Sequence, residues 1–291
     1  MAIQDRDPAR TFGRRIVGRT QRVFVWMQKH KIASIALVVL LLILWQLAVL
    51  PWQDLTRLRT VNPTTTAFIR YAEETAKESG KPLRKHQQWI SLSKISPVLV
   101  DAIIVAEDGT FWAHSGFDWF EFRESLARDW KEMRAARGAS TITQQLAKNL
   151  FLSPSKNPLR KLKEWLLTYC LERQLSKRRI LELYLNVIEL GVGIYGVEAA
   201  SQFYFKTSAS DLTVDECVRL AAIIPSPQRH RADDNSRYVS RRAQIILARL
   251  QVYTKERETG SAAASDSAGV LPDSLRLESE EQEEIDDLQR R

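Results

Sequence analysis

The chain has 291 residues, 44% of them hydrophobic, and a formal net charge of +8, which permits one good-sized domain with appendages, or two small ones, around a substantial core. Residues 1–31 carry eight Lys and Arg against two Asp, while residues 256–291 carry four against eleven acidic groups; a basic middle between a basic head and an acidic tail points to an anionic substrate or surface. The four histidines are scattered and no Cys or His pair has metal-ligand spacing, which excludes a zinc site.

The first feature in chain order is the uncharged run 32–50, IASIALVVLLLILWQLAVL. As a helix it spans about 28 Å, the thickness of a bilayer's hydrocarbon core. Arg14, Arg15, Arg19, Arg22, Lys29 and Lys31 precede it, so the positive-inside rule keeps the basic segment 1–31 cytoplasmic and puts everything after Pro51 outside the cytoplasm. A cleaved signal peptide has a shorter apolar region and a small-x-small cleavage site. Here the run ends in Leu50, Pro51 and Trp52, so 32–50 reads as an uncleaved transmembrane signal anchor. That topology argues against nucleic acid as a partner. Cys170 and Cys217 each lie on an apolar helical stretch, where a buried free thiol is expected rather than a disulfide.

Residues 51–94 are polar and hold Pro63 and Pro82, which reads as a linker with an approach helix near 66–78. Apolar periodicity then predicts helices at 97–106, 118–135, 140–151, 158–175, 177–187, 196–205, 213–224 and 236–253, with Ser140, Ser176 and Thr213 as N-caps. Strand-like alternation is scarce, so the fold class is mainly α, with the catalytic domain at 95–255. The tail 256–291 turns to Gly, Ala and Ser and then to acidic residues, a composition expected to be disordered.

Two stretches carry chemistry. In 137–164, RGASTITQQLAKNLFLSPSKNPLRKLKE, a helix starting after Ser140 would present free N–H groups and a positive dipole end, with Gln145 and Lys148 a turn later, suited to holding an anion. Arg160, Lys161 and Lys163 surround Glu164, with Arg160 and Glu164 at i,i+4 on one face. A KLKE string alone is an ordinary solvated helix face; the TITQQL block beside it favours a phosphate site. In the second stretch, Glu107 and Asp108 end an apolar helix and are followed by Gly109, His114 and a cluster of aromatics. A negative charge at a helix C-terminus is unfavourable, so something else must hold it. Phe111, Trp112, Phe117, Trp119, Phe120 and Phe122 are core residues by default, and a membrane-touching patch if several are exposed.

EDGTFWAHSGFD, RGASTITQQLAKN, RKLKE, ILELYLNVIELGVGIYGVEAASQFYF and RLAAIIPSPQRH resemble, in order and spacing, the five motifs of glycosyltransferase family 51, the peptidoglycan glycosyltransferases that polymerise lipid II. The resemblance covers about 95–231 and implies a lysozyme-like glycosyltransferase domain behind one N-terminal transmembrane helix, in the monofunctional biosynthetic form. It further implies a catalytic Glu107, which removes the proton from the acceptor's 4-hydroxyl, and a second catalytic glutamate, Glu164. Ser140, Thr141, Gln145, Lys148, Arg160 and Lys161 match donor and pyrophosphate positions. Asp108, Phe111, His114 and Asn186 match supporting positions. Two departures are Ala139, where Gly is usual, and the spelling VIELGVG. Implied partners are lipid II, the growing glycan strand, the cytoplasmic (inner) membrane with the domain periplasmic, and other cell-wall synthesis or division proteins. No essential cofactor is evident; a divalent cation, Mg or Mn, commonly assists the family, and no dedicated cage is visible.

The chemistry agrees. Transfer from a pyrophosphate-linked sugar needs a base for the nucleophile and cations for the departing charge, but no strong general acid. A glycosidase also uses two carboxylates, yet it has no need of Lys148, Arg160 and Lys161 beside them. A silent scaffold would not require Glu107 and Glu164. The Ser-x-x-Lys matches at Ser91 and Ser153 fall in the linker and in the glycosyltransferase loop, and too few residues follow Glu256 for a transpeptidase domain.

Overall fold

The computed structural model describes residues 30–119, 123, 140–154 and 158–263. Nearly all of the expected helix 118–135, the glycine-replacing Ala139 and the tail beyond Ala263 lie outside these residues. The chain divides into two compact units, Met1–Pro51 and Trp52–Arg291.

In the first unit, helix α1 (Lys31–Ala48) has a mean hydropathy of 2.3 and leaves Leu37, Leu40 and Leu44 about half exposed. An unbroken apolar stretch of this length with outward side chains is suited to lipid.

The second unit is mainly helical. Its helices are α2 (Trp52–Arg57), α3 (Ala67–Glu78), α4 (Pro97–Glu107), α5 (Ile142–Phe151), α6 (Pro158–Gln174), α7 (Lys177–Val187), α8 (Val197–Phe205), α9 (Val214–Ile223) and α10 (Arg237–Ala263). Caps explain several of the boundaries. Ser176 accepts from Arg179 N, and Thr213 and Glu216 form a reciprocal capping box, each satisfying N–H groups that a helix start leaves unpaired. Helix α5 begins one residue later than expected, because Thr141 rather than Ser140 is its N-cap and pairs with Gln144 in a second capping box.

Two groups of helices build the core. Helices α4, α9 and α10 pack together, and α5 packs against α3, α6 and α7. Leu99, Ile103 and Ile104 of α4, Leu146 of α5, Leu167 and Leu171 of α6, and Leu220 of α9 are fully buried. Cys170 and Cys217 are both free and buried within it.

Two expectations are corrected. Residues 52–94 are not a linker: α2 packs on α6, α3 packs on α5, and Leu55, Leu58 and Ile69 are buried while Thr66 caps α3. A few apolar anchors at i,i+3 spacing dock a stretch whose overall composition is polar. Nor does the domain end at 255, since α10 continues to Ala263, with Arg257 paired to Asp101 of α4 at 2.8 Å.

A small sheet was not foreseen either. Strands β1 (His86–Gln87), β2 (Glu189–Gly191) and β3 (Ile194–Tyr195) form the order β1-β3-β2, β1 parallel and β2 antiparallel to β3. Gly193 turns the hairpin with φ +75, and a Cβ there would lie 2.5 Å from the Arg84 carbonyl, so only glycine lets the incoming strand approach.

Candidate active site

Glu107 is the last residue of α4, and Asp108 then leaves the helix in extended conformation. The two carboxylates part company there. The Asp108 carboxylate accepts from the backbone N–H of Ile142, the first residue of α5, at 2.9 Å, and from His114 Nε2 at 2.8 Å. Gly116 N–H donates to His114 Nδ1 at 3.0 Å, which leaves the ring hydrogen on Nε2, facing Asp108. Thus the charge that is unfavourable at the end of α4 sits at the positive end of α5 instead.

This arrangement changes the reading of the α5 N-terminus. The anion held there is the protein's own Asp108. Thr141 is committed as well: its hydroxyl accepts from Gln144 N at 3.2 Å and donates to the Gly116 carbonyl at 2.7 Å, so no hydroxyl hydrogen remains for a phosphate. Gly116 has φ +88, and a Cβ on it would lie 2.8 Å from side-chain atoms of Glu172 and Thr168. Phe111 is fully buried, edge-on to Trp112 and His114, with Lys177 Nζ 4.4 Å from its ring centroid. Asp108, Phe111, His114 and Thr141 therefore hold the turn after Glu107 against α5 and α6.

Glu107 itself faces inward, its side chain one-tenth exposed. Gln145 Nε2 donates to its Oε2 at 2.9 Å, and the Tyr184 hydroxyl of α7 donates to Gln145 Oε1 at 3.0 Å. This chain fixes the amide's orientation and commits Gln145 to the glutamate. Burial pushes the Tyr184 phenol well above its ordinary range, so it stays a donor. The other oxygen, Oε1, accepts no hydrogen bond and lies 3.5 Å from Arg242 Nη2. Burial raises the Glu107 carboxyl above the usual carboxylate range, with Arg242, Gln145 and Lys148 pulling the other way. A desolvated carboxylate with an oxygen that accepts no hydrogen bond is a stronger proton acceptor than one in water.

Lys148 stands one turn beyond Gln145 on α5. Burial lowers its ammonium below the usual lysine range, opposed by the neighbouring charges of Glu164 and Glu107, while Arg160 and Lys161 push the same way as burial. Glu164, at 3% exposure, accepts from Arg160 Nη1 at 3.4 Å and from Lys161 Nζ. The second glutamate thus clamps two cations, on separate oxygens. Glu107, Lys148, Arg160, Lys161 and Glu164 form one charged group, which Gln145 joins through its hydrogen bond to Glu107, and the Ser140 carbonyl borders it, 3.4 Å from Gln145 Nε2. Asn186 does not join them. It is fully buried and bonded to Ile90 N, Ile90 O and Glu182 O, which fastens 87–90 to α7.

Arg242 and Tyr184 are the site residues that sequence reasoning missed. Arg242 lies on α10 in SRRAQ, which reads as an ordinary amphipathic helix, and only the packing of α10 on α4 brings it to Glu107. Arg242→Ala is expected to raise the apparent pKa of Glu107 by removing the main cation that opposes its burial. The acidic limb of the pH–rate profile should move to higher pH, and an unmoved limb would detach Arg242 from the base.

Among the described residues, no three His, Cys, Asp or Glu side chains converge. Both Glu164 oxygens are taken by cations, so the residues present do not form a Mg or Mn cage.

A buried carboxylate with one oxygen that accepts no hydrogen bond, set beside a cluster of cations, is suited to group transfer with an anionic leaving group. Residues 73–251 match the transglycosylase family. Relatives described as biosynthetic peptidoglycan transglycosylase include one from Methylobacillus flagellatus, 45% identical over 65% of this chain and 83% of the relative. Others come from Dechloromonas aromatica, 43% identical over 72% and 90%, and Chromobacterium violaceum, 40% identical over 75% and 94%. The chain belongs to the transglycosylase family, whose domain is of lysozyme-like type.

Proposed function

We propose that the chain polymerises lipid II into β-1,4-linked glycan strands and releases undecaprenyl pyrophosphate. It is a glycosyltransferase of peptidoglycan synthesis, and the buried Glu107 carboxylate, one oxygen of which accepts no hydrogen bond, within electrostatic reach of Lys148 is the observation that carries the finer reading. Glu107 takes the proton of the acceptor's 4-hydroxyl as that oxygen attacks the donor's anomeric carbon. The bond to pyrophosphate breaks on the opposite face, so the α-linked donor yields a β linkage. Lys148, Arg160 and Lys161 receive the charge that leaves, and Glu164 keeps the latter two in place. Ser140 borders the donor.

Glycoside hydrolysis is the weaker reading. It needs a second carboxylate free to act as nucleophile or base, and the Glu164 carboxylate is engaged on both oxygens. Incubating the purified full chain with lipid II tests the choice. Polymer that a β-1,4-muramidase cleaves, with release of undecaprenyl pyrophosphate, is the expected outcome; cleaved fragments without polymer would overturn it.

The lipid-linked donor also calls for a membrane-facing site. Trp119 (63% exposed), Trp165 (38%) and Tyr169 (58%) are large exposed aromatics, and Phe117 stacks on Trp119 and meets Trp165 edge-on. We assign this patch to the headgroup level of the bilayer, and α1 to a single-pass anchor in the inner membrane with the domain periplasmic. A reporter active only in the cytoplasm, fused after residue 263, should stay silent; activity of the fusion would refute the orientation.

A further inference from the structure

Two charges stand at the ends of their helices that do not favour them. Glu172 lies in the last turn of α6 and Lys177 is the first residue of α7, whereas helix dipoles favour cations at C-termini and anions at N-termini. Tertiary contacts hold both. Lys177 Nζ donates to Glu172 Oε1 at 2.8 Å, the two side chains being 20% and 8% exposed. The same ammonium lies 4.4 Å from the centroid of the fully buried Phe111 ring, within the range of a cation–π contact. The same Glu172 oxygen also accepts from the hydroxyl of Thr143, a fully buried residue of α5, at 2.6 Å.

These contacts end on the two segments that hold the base. Phe111 is edge-on to His114, which donates to Asp108, the chain neighbour of Glu107. Asp108 also accepts from Ile142 N at the start of α5. Thr143 is the next residue of α5, and Gln145, two further on, donates to Glu107 Oε2 at 2.9 Å. One ion pair therefore reaches, through Phe111, the turn that follows Glu107 and, through Thr143, the helix that carries its hydrogen-bond donor. A shift of either segment lengthens the bond between Gln145 and Glu107, and a misplacement of about 1 Å remote from the chemistry can cost about 10²-fold in rate.

We propose that Lys177, paired with Glu172, is a positioning residue that keeps the 108–116 turn and α5 in register, so that Gln145 holds the Glu107 carboxylate for proton transfer; this rests on the reading of Glu107 as the base. Its contribution passes through Phe111 and Glu172. Removing the ammonium also leaves the buried Glu172 carboxylate without its cation, a change that buried pairs tolerate poorly. An arginine, which can both pair with a carboxylate and lie over a ring, is the conservative replacement.

The test measures kcat, KM for lipid II and the pH dependence of kcat/KM for the full chain, Lys177→Met and Lys177→Arg. In Lys177→Met, kcat should fall about ten- to a hundredfold while KM stays within about twofold. The acidic limb should also move to higher pH, because the Gln145 hydrogen bond is one of the influences that lower the Glu107 carboxyl. Arg242 of α10, Lys148 of α5, Tyr184 of α7 and Asp108, the other charged or titratable groups that face Glu107, are unchanged in the variant. Lys177→Arg should recover kcat to within about threefold and return the limb to its parental pH. A purely structural loss lowers the active fraction and scales the profile without moving it. An unmoved limb, an unchanged kcat, or a rise in KM alone would each overturn the proposal. Should Lys177→Met fail to fold, Glu172→Gln, which keeps the shape and an oxygen for Thr143, carries the same expectations, and an unmoved limb there would overturn it equally. Failure of the base reading is distinguishable, because the acidic limb would then persist in Glu107→Gln.

Discussion

Glu107→Gln should lower the polymerisation rate by about 10²–10⁴, the usual contribution of a positioned general base, while lipid II binding stays close to that of the parent chain. The substitution keeps the shape and an oxygen for Gln145 Nε2, which now donates to Oε2 at 2.9 Å, but it removes proton acceptance. Donor binding is spared because the cations that meet pyrophosphate lie on α5 and α6 and remain. Polymerisation measured on labelled lipid II, with binding measured on the same preparation, separates the two effects. Near-normal turnover would sink the general-base assignment.

The second large effect is expected from Lys148→Ala. Removing a cation aimed at developing negative charge costs about 10²–10³ in turnover, and here donor affinity should fall as well, because the ammonium meets the pyrophosphate in both ground and transition states. Three cations are available, but they are not equivalent. The Arg160 side chain is 28% exposed and that of Lys161 45% exposed, and both are paired to Glu164. Burial lowers the Lys148 ammonium, and a charge in a less polar setting interacts more strongly with its ligand. Lys148→Ala should therefore be more damaging than Arg160→Ala or Lys161→Ala. A Lys148→Ala enzyme with unchanged lipid II affinity would place pyrophosphate elsewhere.

Much of this architecture was legible in the sequence, and the physics says which parts. The uncharged 32–50 run identified an apolar helix by length and composition alone. Ser176 and Thr213 marked true helix starts because a hydroxyl before an apolar period satisfies the orphan N–H groups there. At α5 the same rule chose Ser140 over its neighbour Thr141; two adjacent hydroxyl residues offer equivalent caps, and the deciding bond, Thr141 to the carbonyl of Gly116, comes from a distant segment. The expected anion site at that helix end failed for a similar reason, since Asp108 reaches it only after the chain turns. Strands of two or three residues are too short to show alternation, so β1, β2 and β3 left no periodic signal. Arg242 was hidden in the same way. Its neighbours mark a helix face, and nothing local says that the face meets Glu107.

The pH dependence of kcat/KM for lipid II polymerisation tests the central claim most directly, because both groups that define the site are shifted by the same burial. Glu107 must be ionised to accept the proton and its carboxyl is raised, so activity should rise with pH along a limb displaced above the value of about 4.3 for a free glutamate. Lys148 must be charged to meet pyrophosphate and its ammonium is lowered, so activity should fall again along a limb displaced below the value of about 10.4 for a free lysine. The predicted profile is a bell narrower than unperturbed groups would give, whose acidic limb disappears in the residual activity of Glu107→Gln. An acidic limb at the free-glutamate value, or one that survives in Glu107→Gln, would contradict a buried Glu107 as the base.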